Sequence, residues 1–119
     1  MKFLAVFIGG GLGAMSRYAL TTALSGKLGS FPIGTFTANI VGSFLMGVLI
    51  GIFSSRTNET LRLFLTVGFL GGFTTFSSFS AETLTLIRDG QIFSALINIF
   101  ASVGIGLTFC AIGFYLIKN

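Results

Sequence analysis

The stretch Gly-Gly-Phe-Thr-Thr-Phe-Ser-Ser-Phe-Ser at residues 71–80 interrupts a segment that is otherwise apolar enough to cross a membrane. It contains seven glycine or hydroxyl residues and three phenylalanines. In hydrocarbon, an unpaired backbone N–H or C=O is so costly that irregular backbone survives only where it faces protein, water or an ion. A helix that breaks at this point is therefore a candidate ion or substrate site.

The composition of the chain is typical of an integral membrane protein. Of its 119 residues, 53% are hydrophobic and only 8% are charged, whereas soluble domains carry about 25% charged residues. Apolar segments cover Phe3–Leu24, Ile33–Phe53, Leu61–Ile87 and Ile92–Ile117, and a crossing needs roughly 20 residues. We predict an all-α membrane protein in which residues 1–119 form a single domain of four transmembrane helices, the third broken mid-membrane.

Reactive side chains are too scarce to predict an enzyme. The chain has no histidine, and its only cysteine, Cys110, lies in the last apolar segment, where we interpret it as a packing residue. The seven basic residues are scattered and form no cluster that would predict nucleic-acid binding. The first apolar run continues past Arg17, so we interpret it as a true helix rather than a cleaved signal peptide.

Beyond the break, polar residues recur at steps that place them on one face of a helix, namely Thr75, Ser78, Glu82 and Thr85. Phe76 and Phe79 form an adjacent aromatic face. Single hydroxyls often bond only to the preceding turn, but a stripe that includes a carboxylate favours a lined pathway. Because a charge is costly inside hydrocarbon, we interpret Glu82 as lining a vestibule rather than snorkelling.

The other spans also carry polar residues. A line at four-residue spacing in the second span comprises Thr35, Asn39 and Ser43, and one in the fourth comprises Asn98, Ser102 and Gly106. Asn39 either lines a pathway or clamps two helices together. Arg17 in the first span should reach an aqueous cavity, a carbonyl or a carboxylate.

Small residues at four-residue spacing predict close approach between helices, either within the chain or with another subunit. The pairs are Gly9/Gly13, Ala38/Gly42, Gly47/Gly51, Gly68/Gly72 and Ser102/Gly106.

The basic residues specify orientation weakly. If both termini share one side of the membrane, that side carries Lys2, Arg56, Arg62 and Lys118. The other side carries Lys27 and Arg88, with Arg17 if it lies near that end. This difference is a poor positive-inside signal. A chain of this kind could insert in both orientations and pair as an antiparallel two-fold dimer.

Three motifs together resemble the Fluc (CrcB) family of fluoride channels. Residues 71–80 followed by Glu82 are similar to the family's third-span signature, and Thr-Ala-Asn-Ile-Val-Gly-Ser-Phe at 37–44 is similar to its second-span asparagine motif. Residues 9–18 look like its glycine-rich first span with an arginine. The resemblance covers essentially the whole chain.

The resemblance implies a dual-topology antiparallel homodimer with two fluoride pores. Phe76 and Phe79 would be the pore phenylalanines and Asn39 the pore-lining amide. Thr75, Ser78 and Ser102 would belong to a hydroxyl track.

The resemblance further implies that Glu82 is the vestibule carboxylate and that carbonyls of Gly71 and Thr74 from both subunits hold a structural sodium ion at the dimer centre. Asn98 lies where the family can have a tyrosine, so the fourth-span contacts depart from its pattern.

The expected function is passive, voltage-driven fluoride export that relieves fluoride toxicity, in the plasma (inner) membrane of a microbe. The alternative is a small multidrug-type antiporter, which is also four-spanning. That class would have a carboxylate in the first span and tryptophan-rich walls, whereas this chain has Arg17 and no tryptophan. A non-transporting assembly subunit or holin would not explain the ordered polar residues.

Overall fold

The computed structural model describes residues 1–55 and 58–119, and these residues form an all-helical fold. Four helical stretches are long and apolar enough to cross a membrane, namely Lys2–Leu24, Ile33–Phe53, Glu59–Arg88 and Ile92–Lys118. Their ends differ from the predicted segments by at most two residues. The prediction of an all-α protein with four candidate membrane spans is therefore confirmed. Helices α1 and α2 are the first two of these stretches.

The third span consists of several segments. Helix α3, Glu59–Leu63, continues into a π-helical turn at Phe64–Leu70 and then into the short α4, Gly71–Phe73. Helix α5, Phe76–Arg88, follows after two residues, and α6 is Ile92–Lys118. The two intervening residues have extended backbone angles, with φ/ψ of −90°/156° at Thr74 and −152°/120° at Thr75.

Glycine residues allow α2 and α6 to approach each other closely along much of their length. A methyl group on Gly47 of α2 would overlap the carbonyl oxygen of Cys110, and one on Gly113 of α6 would overlap that of Phe44. In lipid the hydrophobic effect does not drive helix association, so such close approach supplies the packing energy. Gly47 and Gly113 thus serve contacts within the chain.

Helix α1 packs in the same way against the first half of the third span. A methyl group on Gly9 would overlap the carbonyl oxygen of Phe64, and one on Gly13 would overlap that of Phe69. Both carbonyls belong to the π-helical turn. π-Helical turns are rare and frequently lie at functional sites; here the wide turn presents its backbone to the glycines of α1.

Two polar contacts join the elements at opposite ends of the bundle. The Lys2 ammonium lies 2.8 Å from a carboxylate oxygen of Glu59, which joins the start of α1 to that of α3. At the other end, the Ser30 hydroxyl donates to the side-chain carbonyl of Gln91. The four spans alternate in direction, so both termini lie at the Glu59 end. Arg56, which was assigned to that end, lies outside the described residues.

Candidate functional site

The site is built around the extended residues Thr74 and Thr75. Where a helix stops, its last carbonyls lose their intrahelical donors. The carbonyl of Leu70 accepts from both the N–H of Thr74, at 2.9 Å, and the Thr74 hydroxyl, at 2.8 Å. The N–H of Thr75 would reach the carbonyl of Gly71 in a continued helix, but it donates instead to Asn39 Oδ1. The carbonyl of Gly71 is thereby released from the helical pattern.

The side-chain amide of Asn39 replaces the missing helical bonds of Thr75. Its Oδ1 accepts the Thr75 N–H at 2.8 Å, and its Nδ2 donates to the Thr75 carbonyl at 3.1 Å. Both backbone groups of one extended residue are thus paired by a single side chain. Because a side-chain amide carries two N–H groups, Asn39 keeps one N–H that is not bonded to Thr75. The structure shows the clamp; the pore-lining role stays a prediction.

The Thr75 side chain begins the second half of the third span. Its hydroxyl oxygen accepts the N–H of Ser78 at 3.1 Å, which makes Thr75 the N-cap of α5. A hydroxyl at this position satisfies one of the first N–H groups of a helix that have no partner inside it. Ser78 itself is half-buried on the first turn of α5.

Arg17 of α1 also reaches the break. Its Nη1 donates to the carbonyl of Thr74 at 3.4 Å, a long hydrogen bond. Of the partners expected from the sequence, the structure therefore supplies a carbonyl. A positive charge beside the last carbonyls of a helix is stabilising. Arg17 has this position relative to the helical run that ends at Phe73.

Two phenylalanines follow the break on α5. The rings of Phe76 and Phe79 have centroids 5.6 Å apart and planes inclined at 40°. Phe79 is half-buried, whereas Phe76 is 79% exposed on the single chain. A ring edge carries partial positive charge, so these rings can contact an anion without a fixed cation.

A cavity of about 270 Å³ lies at the Ser30 end of the bundle, and Glu82 lines it together with Asp89. The Thr35 hydroxyl donates to Glu82 Oε1 at 2.6 Å, so α2 holds one carboxylate oxygen of α5. Glu82 therefore lines a cavity near one end of the bundle. That this cavity is a vestibule stays a prediction.

A second cavity, of about 320 Å³, lies beside the break. Its lining includes Asn39, Ser43, Met46, Thr75, Phe76 and Cys110. The fold thus brings a clamped amide, hydroxyls and one aromatic ring to a common space.

The chain matches a known family over most of its length. The family profile described as "CrcB-like protein, Camphor Resistance (CrcB)" matches residues 4–114. The chain belongs to the CrcB family. The resemblance inferred from the sequence motifs is therefore confirmed.

Three CrcB relatives carry the name "Fluoride-specific ion channel FluC". The protein of Methylobacterium sp. (strain 4-46) is 43% identical over 121 residues, covering 100% of this chain and 98% of its own. That of Novosphingobium aromaticivorans is 48% identical over 118 residues, covering 96% and 94%. That of Pyrococcus furiosus is 45% identical over 116 residues, again covering 96% and 94%.

On the fourth span of this CrcB protein, Ser102 takes part in a buried chain of hydrogen bonds. Its hydroxyl donates to Asn98 Oδ1 at 3.3 Å, and Asn98 Nδ2 donates to the Thr83 hydroxyl oxygen at 2.9 Å. Thr83 in turn donates to the carbonyl of Phe79 at 2.7 Å. The single proton of Ser102 is thus directed at Asn98, which leaves Ser102 only lone pairs for any other partner.

Thr83 is the residue that the sequence reasoning missed. It lies one position beyond Glu82, off the predicted polar stripe, and it is buried against α6. The only signal in the sequence was Asn98, a polar residue in the middle of an apolar span, which needs a partner. Nothing in the sequence identifies that partner, because it depends on how α5 and α6 face each other.

Proposed function

We propose that the chain is a fluoride-selective channel through which fluoride leaves the cell passively. The observation that carries the proposal is the break at Thr74 and Thr75, where the Asn39 amide, a cavity and the exposed Phe76 ring come together. The proposal takes this break to lie at membrane depth. Three relatives at 43%, 45% and 48% identity that carry a fluoride-channel name support the choice of ion.

The groups around the break suit a small, strongly hydrated anion. Selection in a narrow path requires donors that replace the water the ion gives up. The remaining N–H of Asn39, the hydroxyls of Thr75 and Ser78, and the ring edges of Phe76 and Phe79 are neutral donors of this kind. Larger halides gain less from compact donors, so the same path disfavours chloride.

Transport in this scheme needs no catalytic residue. Hydrogen fluoride enters a cell from acidic surroundings as a neutral molecule and dissociates in the near-neutral cytoplasm, which traps the anion. A membrane potential that is negative inside drives the anion out, with about 2.3 kcal/mol per charge for every 100 mV. Such a channel in the plasma (inner) membrane of a microbe would relieve fluoride toxicity.

The functional unit that we propose is a dual-topology antiparallel homodimer with two pores. The support is the large exposure of Phe76, which a second subunit would cover, and the weak charge bias between the two ends. A protease-cleavable tag at one terminus should be cut to about half in sealed vesicles. Complete cutting or complete protection would contradict the dual topology.

We also propose a structural sodium ion at the dimer centre, held by the carbonyls of Gly71 and Thr74 from both subunits. The break fits this role, because it removes the helical donor of the Gly71 carbonyl and leaves neutral oxygen ligands. Thr74 also accepts from Arg17, so its carbonyl would be shared. Bound sodium would join the two third spans. Exchange of sodium for N-methylglucamine should therefore lower the unfolding temperature, and an unchanged temperature would contradict the site.

Fluoride release from liposomes tests the proposed function. Purified protein is reconstituted into vesicles loaded with potassium fluoride or potassium chloride, and a potassium ionophore sets the voltage. The proposal requires rapid fluoride release, recorded with an ion-selective electrode, and little chloride release. No fluoride release, or equal release of both ions, would overturn it.

Replacing Phe76 with isoleucine should stop fluoride release while the protein remains folded. The substitution keeps an apolar side chain but removes the polarised ring edge beside the cavity. Phe100→Ile is the matched control, because Phe100 is 70% exposed on α6 and does not lie at the break. Wild-type release by Phe76→Ile would place the pore elsewhere.

A further inference from the structure

We propose that Ser43, together with Asn39, donates a hydrogen bond to the anion in the cavity beside the break. This inference rests on the proposed fluoride-channel function. It concerns a residue that the family resemblance did not assign to the pore, and it names the Ser43 hydroxyl as a group that contacts the permeating ion.

Ser43 lies one helical turn beyond Asn39 on the same face of α2. Both residues line the cavity of about 320 Å³, together with Thr75 and Phe76. Across the gap, α6 presents Gly106, where an added methyl carbon would lie 3.6 Å from the Ser43 oxygen. Gly106 has no side chain that could occupy the space beside the Ser43 hydroxyl, and Ser43 itself lines the cavity.

The other polar groups of this cavity have at least one partner within the protein. The Thr74 hydroxyl donates to the carbonyl of Leu70 at 2.8 Å. The Thr75 hydroxyl caps α5 and lies 3.1 Å from the Ser77 hydroxyl. Asn39 gives one of its two N–H groups to the carbonyl of Thr75. Its other N–H group remains available.

Ser43 lacks the local bond that many helical hydroxyls of this chain make. Many of them donate to a carbonyl of the preceding turn, among them Ser16, Thr66, Ser80, Thr85 and Thr108. Within residues 1–55 and 58–119, the Ser43 hydroxyl has no hydrogen-bond partner in the protein. A polar group inside a membrane protein needs a partner. Water or an ion in the cavity can supply it.

The spacing of the two available donors suits one small anion. Four residues of α-helix rise about 6 Å, so an ion midway between Asn39 and Ser43 is displaced by about 3 Å along the axis from each. Hydrogen bonds to an anion are short and roughly twice as strong as those between neutral groups. Two neutral donors, rather than a lysine or arginine, would bind the ion without trapping it.

Removal of the Ser43 hydroxyl tests this role. We expect Ser43→Ala to slow fluoride release by about tenfold or more, because one hydrogen bond to a charged partner is lost. Ser43→Thr retains the hydroxyl and should restore most of the rate. Ser16→Ala is the matched control, because it removes a hydroxyl that already donates to the carbonyl of Leu12 at 2.8 Å.

The outcomes separate this inference from the proposed function. If the wild type and Ser43→Ala release fluoride equally fast, Ser43 is not a donor, and the channel function stands. If Ser43→Ala and Ser43→Thr are equally slow but their unfolding temperatures match the wild type, space rather than the hydroxyl matters, and the inference is wrong. If the wild type releases no fluoride, the proposed function itself fails.

Discussion

Asn39→Asp should abolish fluoride release while the protein remains folded. The aspartate can still accept the N–H of Thr75, which Asn39 Oδ1 accepts at 2.8 Å. It cannot donate to the Thr75 carbonyl, and its negative charge lies beside the proposed anion path. A unit charge at 4 Å contributes about 4 kcal/mol at an effective dielectric constant of about 20. We therefore expect release to fall at least about 100-fold in the liposome assay.

Asn39→Leu removes the hydrogen bonds to Thr75 without introducing a charge, so it distinguishes the two effects of Asn39→Asp. Leucine has a similar size but can pair neither the N–H nor the carbonyl of Thr75, and each buried group left unpaired costs about 1–3 kcal/mol. Asn39→Leu should therefore unfold at a lower temperature than the wild type, and both variants should be inactive. Wild-type release by Asn39→Asp would show that the path does not pass Asn39.

Gly113→Ala should cause the largest loss of stability among single-methyl changes in α6. The added methyl group would overlap the carbonyl oxygen of Phe44 and would lie 3.0 Å from the backbone nitrogen of Val48. Overpacking costs about 1–3 kcal/mol, occasionally more, and a helix backbone cannot rotate away as a side chain can. We therefore expect about 3 kcal/mol of destabilisation, measured by thermal unfolding in detergent with circular dichroism.

Gly104→Ala is the matched control on the same helix. A methyl group at Gly104 meets nothing within 4 Å. Alanine favours a helix over glycine by about 1 kcal/mol, so this variant should be as stable as the wild type or slightly more stable. Equal unfolding temperatures for Gly113→Ala and Gly104→Ala would show that the close approach of α2 and α6 does not hold in the membrane protein.

Helix positions were predictable from the sequence because an apolar segment of sufficient length has few alternatives in lipid. The second span, Ile33–Phe53, has the predicted bounds at both ends. The π-helical turn at Phe64–Leu70 was not predicted. Its carbonyls at Phe64 and Phe69 lie against Gly9 and Gly13, and such contacts depend on which helices are neighbours.

The sequence predicted which residues form the candidate site, but only some of the contacts between them. A polar stripe and an amide in apolar spans indicated Thr75 and Asn39, because such residues are costly in hydrocarbon. Their pairing could not be read from the sequence, since Asn39 had two possible roles and residue spacing does not distinguish them. The same holds for Ser102, whose proton direction depends on the position of Asn98.

The wide turn at Phe64–Leu70 also has a consequence for how the chain length can vary between relatives. A π-helical turn contains one residue more than the α-helical turn it replaces. A homologue that lacks a single amino acid between Arg62 and Gly71 could close this turn to ordinary α-helix and keep everything from Gly71 onward in its present rotational setting. Helix α5, Phe76–Arg88, contains no π-helical turn that could absorb a deletion. Loss of one residue there would rotate the residues after it by about 100° around the helix axis.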